Sequence, residues 1–191
     1  MKYNSEDEEI AAALDVLKKG GIILYPTDTV WSIGCDASNG DAIDKVFKLK
    51  QREEGKSMIC LVSDFKMLQQ YVEDVPEVAY DVLKYANKPT TIIYDKPIRV
   101  AENIVAEDDT LAIRVVRNDF CNKLIRKLKR PLVATSAKIN KENTPRAFKE
   151  ISKPILEGVD YVVNLPDKNK NAKPSSIIKI GNDSTVKVIR K

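Results

Sequence analysis

Ile22 to Gly34 reads IILYPTDTVWSIG. Ile22 to Tyr25 is an unbroken β-favouring apolar run, Pro26 closes it, and after a polar turn Val30 to Gly34 predicts a second strand. An apolar run without alternation predicts a strand covered on both faces, so helices must pack against it. The flanks supply them. Upstream, Ser5 and Glu8 have the form of a capping box, and Ile10, Ala13, Leu14 and Leu17 follow at helical spacing until Gly20 and Gly21 stop the run. Downstream, a helix from about Asp41 to Lys50 carries Ile43, Val46 and Phe47 on one face.

The interleaving continues to the end of the chain. Met58 to Val62 reads as a buried strand, Asp64 caps a short helix with Phe65, Leu68 and Val72 inward, and Pro76 suits the first turn of a helix bearing Val78, Val82 and Tyr85. Pro89 to Tyr94 is a strand, 96–109 a polar connection, and Leu111, Ile113 and Val115 alternate with Ala112, Arg114 and Val116, a strand with an arginine on its second face. Asn118 opens a helix with Cys121, Leu124, Ile125 and Leu128, Pro131 to Thr135 is a buried strand running into Ser136, and Thr144-Pro145 predicts a short helix. Strands then follow at Tyr161–Val163, Ser176–Ile180 and Thr185–Arg190, the last two a hairpin through Gly181 to Ser184, with Asp167 to Lys173 a mobile surface loop. No repeat or long linker appears. The expectation is an α/β fold, one mixed sheet with helices packed on it, in one domain over residues 1–191.

Composition narrows the chemistry. Hydrophobic residues are 43% and charged residues 31% of the chain, the balance of a globular protein. No stretch approaches the ~18 apolar residues of a membrane span. The segment MKYNSEDEE is acidic where an export signal is basic and then apolar, which predicts a cytoplasmic protein without a membrane partner. Cys35, Cys60 and Cys121 lack CxxC spacing, so buried thiols are expected and neither a zinc site nor a disulfide framework. Histidine is absent, which removes Ser-His-Asp and Cys-His nucleophiles, HExxH zinc hydrolysis and any imidazole base. What chemistry remains is electrostatic. The net charge of +4 is regional: Arg114 to Glu150 holds eleven Lys/Arg against three Asp/Glu. Such a region attracts phosphates, or it is a solvated helix face that keeps the chain soluble.

Lys50 breaks the local pattern. Ile43, Val46, Phe47 and position 50 follow the helical rule, so a cation stands where the apolar stripe predicts a hydrophobe. Its ammonium must reach water, an acidic partner, an anionic ligand or the negative carbonyl end of the helix. Arg52 and Lys56 follow closely, a natural clamp for phosphate oxygens unless Glu53 and Glu54 pair with them at the surface. Gly55-Lys56-Ser57 is not a P-loop, because position 50 is lysine rather than glycine and the element order is reversed. Hydroxyls cluster at two strand ends, Thr27-Asp28-Thr29 and Thr135-Ser136, where open α/β sheets place ligands and where ordinary turns also use them.

Six ordered segments carry a resemblance: YPTDTVWSIGCDA from Tyr25, KQR at Lys50 to Arg52, LAIRV around Arg114, PLVATSA from Pro131, Thr144-Pro145-Arg146 and Pro174-Ser175-Ser176. They are similar to the PTET-type opening, the KxR motif, the internal arginine strand, the approach to the SxN motif, the segment after it and the late serine strand of the YrdC/TsaC family of threonylcarbamoyl-AMP synthases. The resemblance implies a twisted sheet with a positively charged concave face, where carboxylated threonine attacks the α-phosphate of ATP and pyrophosphate leaves. It assigns Lys50 and Arg52 to catalysis. With Lys56, Ser136, Lys138, Arg146 and Arg190 they would bind ATP, while Thr29, Arg114 and Ser175 would hold L-threonine. Bicarbonate is the third substrate, Mg²⁺ accompanies the ATP phosphates, and a threonylcarbamoyl transferase complex takes the product to tRNA.

The pattern departs from the family in several places. The SxN motif reads Ser136-Ala137-Lys138, the WPGP-like segment is Tyr85-Ala86-Asn87-Lys88-Pro89, no proline follows Arg52, and Leu61 stands where many relatives carry histidine. Lys138 replaces an amide that donates and accepts with an ammonium that only donates. A long form's additional carboxy-terminal domain has no counterpart, so the resemblance is to the short, single-domain form. Two other functions fit the same residues. One is a non-catalytic module that uses the basic concavity to bind tRNA or other double-stranded RNA. The other is the related carbamoyl-adenylate chemistry of hydrogenase-maturation proteins, which lacks support from any appended zinc-finger or acylphosphatase-like segment.

Overall fold

Side-chain caps set where the helices begin. In a computed structural model that describes residues 3–51, 58–140, 142–166 and 173–191, Ser5 Oγ accepts the Glu8 amide at 3.3 Å and Glu8 accepts the Ser5 amide at 2.9 Å. This capping box starts α1 (Glu6–Lys18), whose inward residues include Ile10, Ala13 and Leu17. Asn39 caps α2 (Gly40–Lys50) through the Ala42 amide, Asp64 caps the short α3 (Phe65–Leu68), and Asn118 caps α5 (Asp119–Leu128). Pro76 stands at the cap position of α4 (Glu77–Tyr85), one residue before the first turn in which it was expected.

Nine strands form one mixed sheet. They are β1 (Ile23–Tyr25), β2 (Ser32–Gly34), β3 (Ile59–Val62), β4 (Thr90–Asp95), β5 (Thr110–Val115), β6 (Leu132–Ser136), β7 (Tyr161–Val162), β8 (Ser176–Ile180) and β9 (Val186–Arg190). The order across the sheet is β7-β1-β2-β6-β3-β5-β4-β8-β9, with β1–β7, β3–β5 and β4–β8 parallel and the other pairs antiparallel. The expected terminal hairpin is β8–β9, closed where the Gly181 amide meets the Thr185 carbonyl at 3.0 Å.

Two expectations are corrected. Thr144-Pro145 starts no helix: the chain has no regular structure there and makes a 3₁₀ turn only at Phe148–Glu150. The proline that opens a helix is Pro154, in α6 (Lys153–Gly158), a segment the periodicity left unassigned. The connection 96–109 is also less polar in effect than in composition, since its 3₁₀ turn at Glu102–Ile104 buries Ile104 in the core. Of the expected surface loop only Lys173, which is exposed, lies within the described residues.

The two faces of the sheet are covered unequally, and this creates the site. One face, with Leu24, Ile33, Cys60, Val62, Ile92, Ile113 and Val133, is packed along its width with residues of α2, α3, α4 and α6. On the other, α1 and α5 cover Ile23, Tyr25, Leu61 and Leu132, with Ala134 at the margin, a cluster that draws no described residue from β4, β5, β8 or β9. Among the described residues, half of the second face therefore stays without a helical cover. Gly34 is needed where the covered half begins: the Tyr25 hydroxyl donates to the Val133 carbonyl at 2.7 Å, and a Cβ on Gly34 would stand 2.1 Å from that oxygen and 2.7 Å from the Tyr25 ring.

Candidate active site

The uncovered half-face carries a cleft of about 380 Å³. Its floor alternates out of the strands: Ala112 and Arg114 from β5, Ile93 from β4, Ala134 and Ser136 from β6 and Ile177 from β8. Pairing of Ile59 with Ala112 and with Ala134 puts the two alanines on either side of one strand, where their small side chains leave room above the sheet. A wider outer compartment of about 890 Å³ adjoins it, reaching Arg146, Glu150 and Lys173 and sharing Val30, Thr144 and Pro174 with the inner one.

The 26–31 turn supplies one wall. Thr27 Oγ1 donates to the Val30 carbonyl at 2.8 Å and accepts the Thr29 amide at 3.0 Å. With its proton so used, its 2.9 Å contact to Thr29 Oγ1 is donated by Thr29. This turn consumes Val30, which is why β2 begins at Ser32 and not at Val30. Thr29 in turn accepts Arg114 Nη2 at 3.3 Å, and the same nitrogen meets Asp28 Oδ1 at 3.0 Å. Arg114 is 3% exposed, Asp28 lies beside it, and the ion pair forms the partition between the inner cleft and a separate cavity on the far side of Asp28.

The contacts to Asp28 and Thr29 do not use all the donors of this guanidinium. Arg114 Nε is buried and has no hydrogen-bond partner among the described residues. A buried unsatisfied donor on a cation is costly, and a ligand acceptor in the cleft is the natural way to satisfy it. Opposite, Arg190 Nε donates to the Ser175 carbonyl at 3.0 Å, while Ser175 Oγ and Thr91 Oγ1 share a hydrogen bond of 2.8 Å. Burial first, and then the charge of Arg114, lower the pKa of Arg190. Among the described residues the inner cleft is lined by these two arginines and by no carboxylate, an arrangement that favours an anion.

The structure thus gathers Thr29, Arg114, Ser136, Ser175 and Arg190 around one cleft and places Arg146 in its outer compartment. Lys50 and Lys138 line neither. Lys50, 3% exposed, donates to the carbonyls of Ser136 and, at 2.7 Å, of Lys138; the Lys138 ammonium donates to the Glu142 carbonyl. Arg52 and Lys56 lie outside the described residues. Sequence reasoning did not single out Asp28 as a partner of Arg114, nor Thr91, nor the two floor alanines. Asp28 was legible as a carboxylate between two hydroxyls, whereas the role of an alanine depends on which half of a face is left bare.

The remaining candidates resolve simply. Burial pushes all three cysteine thiols up, Cys60 to about 12, so none is a ready nucleophile. Among the described residues no three of His, Cys, Asp and Glu converge as a metal cluster. No described helix is long and apolar enough to cross a membrane. The basic region is partly neutralised by folding: Arg114, Lys123, Arg126 and Arg130 pair with Asp28, Glu6, Asp64 and Asp36.

Comparison with known proteins places the chain in a family. The family described as Sua5_yciO_yrdC, "Telomere recombination", matches residues 15–191. Threonylcarbamoyl-AMP synthase of Pseudoalteromonas translucida is 32% identical over 91% of this chain and 94% of its own. The synthase of the same name from Idiomarina loihiensis is 33% identical over 76% and 80%. Among solved structures, P. abyssi Sua5 complexed with L-threonine superposes with a TM-score of 0.83 at 23% identity, over 93% of this chain. The chain spans about half, 52%, of that Sua5.

Proposed function

This chain belongs to the Sua5/YciO/YrdC family, and from that premise we propose that it is a threonylcarbamoyl-AMP synthase, condensing L-threonine, bicarbonate and ATP with release of pyrophosphate. The observation that carries the reading is Arg114, buried with its Nε unpartnered, standing with Arg190 at a cleft that no described carboxylate lines. A guanidinium held at Nη2 by Asp28 and Thr29, with donors still unused, suits a carboxylate, here that of threonine. Thr29 and Ser175 flank it and take the polar groups of the amino acid. Ser136, Arg190 and, in the outer compartment, Arg146 attend the nucleotide, with Arg52 and Lys56 belonging to the same reading. Mg²⁺ enters as part of the substrate, carried on the ATP phosphates.

The chemistry matches the residues present. Bicarbonate carboxylates the threonine amine with loss of water, and a carbamate oxygen then attacks the α-phosphorus. The bond to the β-phosphate oxygen breaks and pyrophosphate departs. The carbamate is already an anion and needs no general base, so a chain without histidine can run this step by positioning and by cations near the phosphates. The product suits transfer to tRNA by a threonylcarbamoyl transferase complex. The test is pyrophosphate release with each substrate omitted in turn. Release must require all three together; release without threonine or bicarbonate, or only with carbamoyl phosphate in their place, refutes the assignment.

A further inference from the structure

We propose that Lys50 is a positioning residue: its ammonium clamps the segment 136–140 that forms one wall of the cleft, and does not itself contact the nucleotide. The functional part of this inference rests on the synthase reading; the structural part does not. Lys50 is the last residue of α2 and sits on its buried face. Its Nζ donates to the carbonyls of Ser136 and Lys138, 86 and 88 residues away, and its own carbonyl accepts the Asn140 amide at 2.9 Å. Three hydrogen bonds therefore tie one residue to both ends of a five-residue segment. Ser136, at the start of that segment, lines the inner cleft, and Thr144, just beyond it, lines both compartments.

The chemistry of the bond explains why a lysine stands there. Carbonyls are acceptors only, so a clamp on two of them needs a donor with more than one hydrogen, and an ammonium offers three. Charge makes those bonds stronger than neutral ones, and it also makes the cation expensive to bury without them. To reach a phosphate, Nζ would have to leave both carbonyls and cross out of the α2–β6 contact. Held where it is, it fixes the exit of β6 and with it the direction of Ser136.

The wall carries its own reporter. Trp31, the protein's sole tryptophan, accepts the Ala137 amide on its carbonyl at 2.9 Å and packs against Phe148 at 5.0 Å between ring centroids. The deciding experiment uses the protein without any substrate: amide hydrogen exchange at Ala137, Lys138 and Asn140, and acrylamide quenching of Trp31, in wild type, Lys50→Met and Lys50→Arg. A clamp predicts that Lys50→Met speeds exchange at these amides by about tenfold or more, exposes Trp31 to quencher, and leaves α5 amides unchanged, with Lys50→Arg intermediate. Pyrophosphate assays then show a raised KM for ATP that Lys50→Arg partly restores. Unchanged exchange in substrate-free Lys50→Met overturns the proposal, whether or not activity is lost. If Lys50→Met does not fold, the ¹⁵N signal of the wild-type Lys50 ammonium decides: protected from water and unmoved by ATP supports the clamp, displaced by ATP overturns it. A wild-type protein that releases no pyrophosphate refutes the synthase reading and leaves the exchange result to judge the clamp.

Discussion

Asp28→Asn isolates the ion pair on which the inner cleft is built. Arg114 is 3% and Asp28 11% exposed at the side chain, and they meet at 3.0 Å. Removing one partner of a fully buried pair costs about 3–5 kcal/mol, but two features lower that here. The asparagine oxygen still accepts from Nη2, worth about 1 kcal/mol, and Thr29 Oγ1 still accepts from the same nitrogen. A loss of about 2–3 kcal/mol in unfolding free energy is expected, which for a chain of this size lowers Tm by about 4–12 °C. The sign of the ligand effect differs. With its internal counter-ion gone, Arg114 relies more on the substrate carboxylate, so threonine should raise the Tm of Asp28→Asn at least as much as that of wild type, and threonine amide should not. Differential scanning fluorimetry with both ligands reads this. A Tm within 1–2 °C of wild type, well below the range expected for a chain of this size, refutes the energetic argument. Equal stabilisation by threonine and its amide refutes the assignment of Arg114 to a carboxylate.

Arg190→Gln removes a charged donor from an exposed edge strand, so kcat/KM for ATP should fall by about 10- to 100-fold while Tm stays near wild type; a large drop in Tm would mean that Arg190 is structural. Gly34→Ala drives a methyl into the Val133 carbonyl and the Tyr25 ring, and urea unfolding should show a loss on the order of 3 kcal/mol. Hydrogen bonds from Ser5 hold the Glu8 carboxyl below its ordinary value, and the Thr110 hydroxyl and Lys179 do so for Asp108. A depressed carboxyl pKa gives stability that is present above the ordinary carboxylate range and lost as pH falls through the folded value. Acid titration followed by circular dichroism should therefore show a smaller loss of α1 helicity in Ser5→Ala than in wild type, because the variant has less to lose.

Local signals in the sequence were read well where the physics is local. Ser5, Asp64 and Asn118 cap the helices they were expected to cap, and the terminal hairpin closes at Gly181. The proline rule failed at Thr144 because it cannot rank two candidate prolines; Pro154 opens a helix whose Ile155 reaches the core, whereas Thr144 is used as a wall of the cleft. Lys50 was legible as an anomaly and not as a contact. Its partners are backbone carbonyls 86 and 88 residues away, and no periodicity encodes a carbonyl. The sheet order was equally hidden, since β2, β6 and β3 lie side by side through pairings that depend on the whole fold.

The location of the cleft follows from a shortage of helix. Two helices, α1 and α5, serve the second face of a nine-stranded sheet, and a helix of about 10 Å diameter covers roughly two strands spaced at 4.8 Å. The strands beyond their reach must carry side chains that tolerate solvent or a ligand. Leu61 lies on the covered side and its parallel neighbour Arg114 on the bare side of the same pairing, so the apolar-to-cationic switch between them marks the edge of the helical layer. Arg114 is nevertheless almost inaccessible, because Asp28 and Thr29 fold over it from the 26–31 turn. A cation that is neither in bulk water nor fully paired binds anions strongly, since its desolvation has already been met by the fold and it has donors still to satisfy.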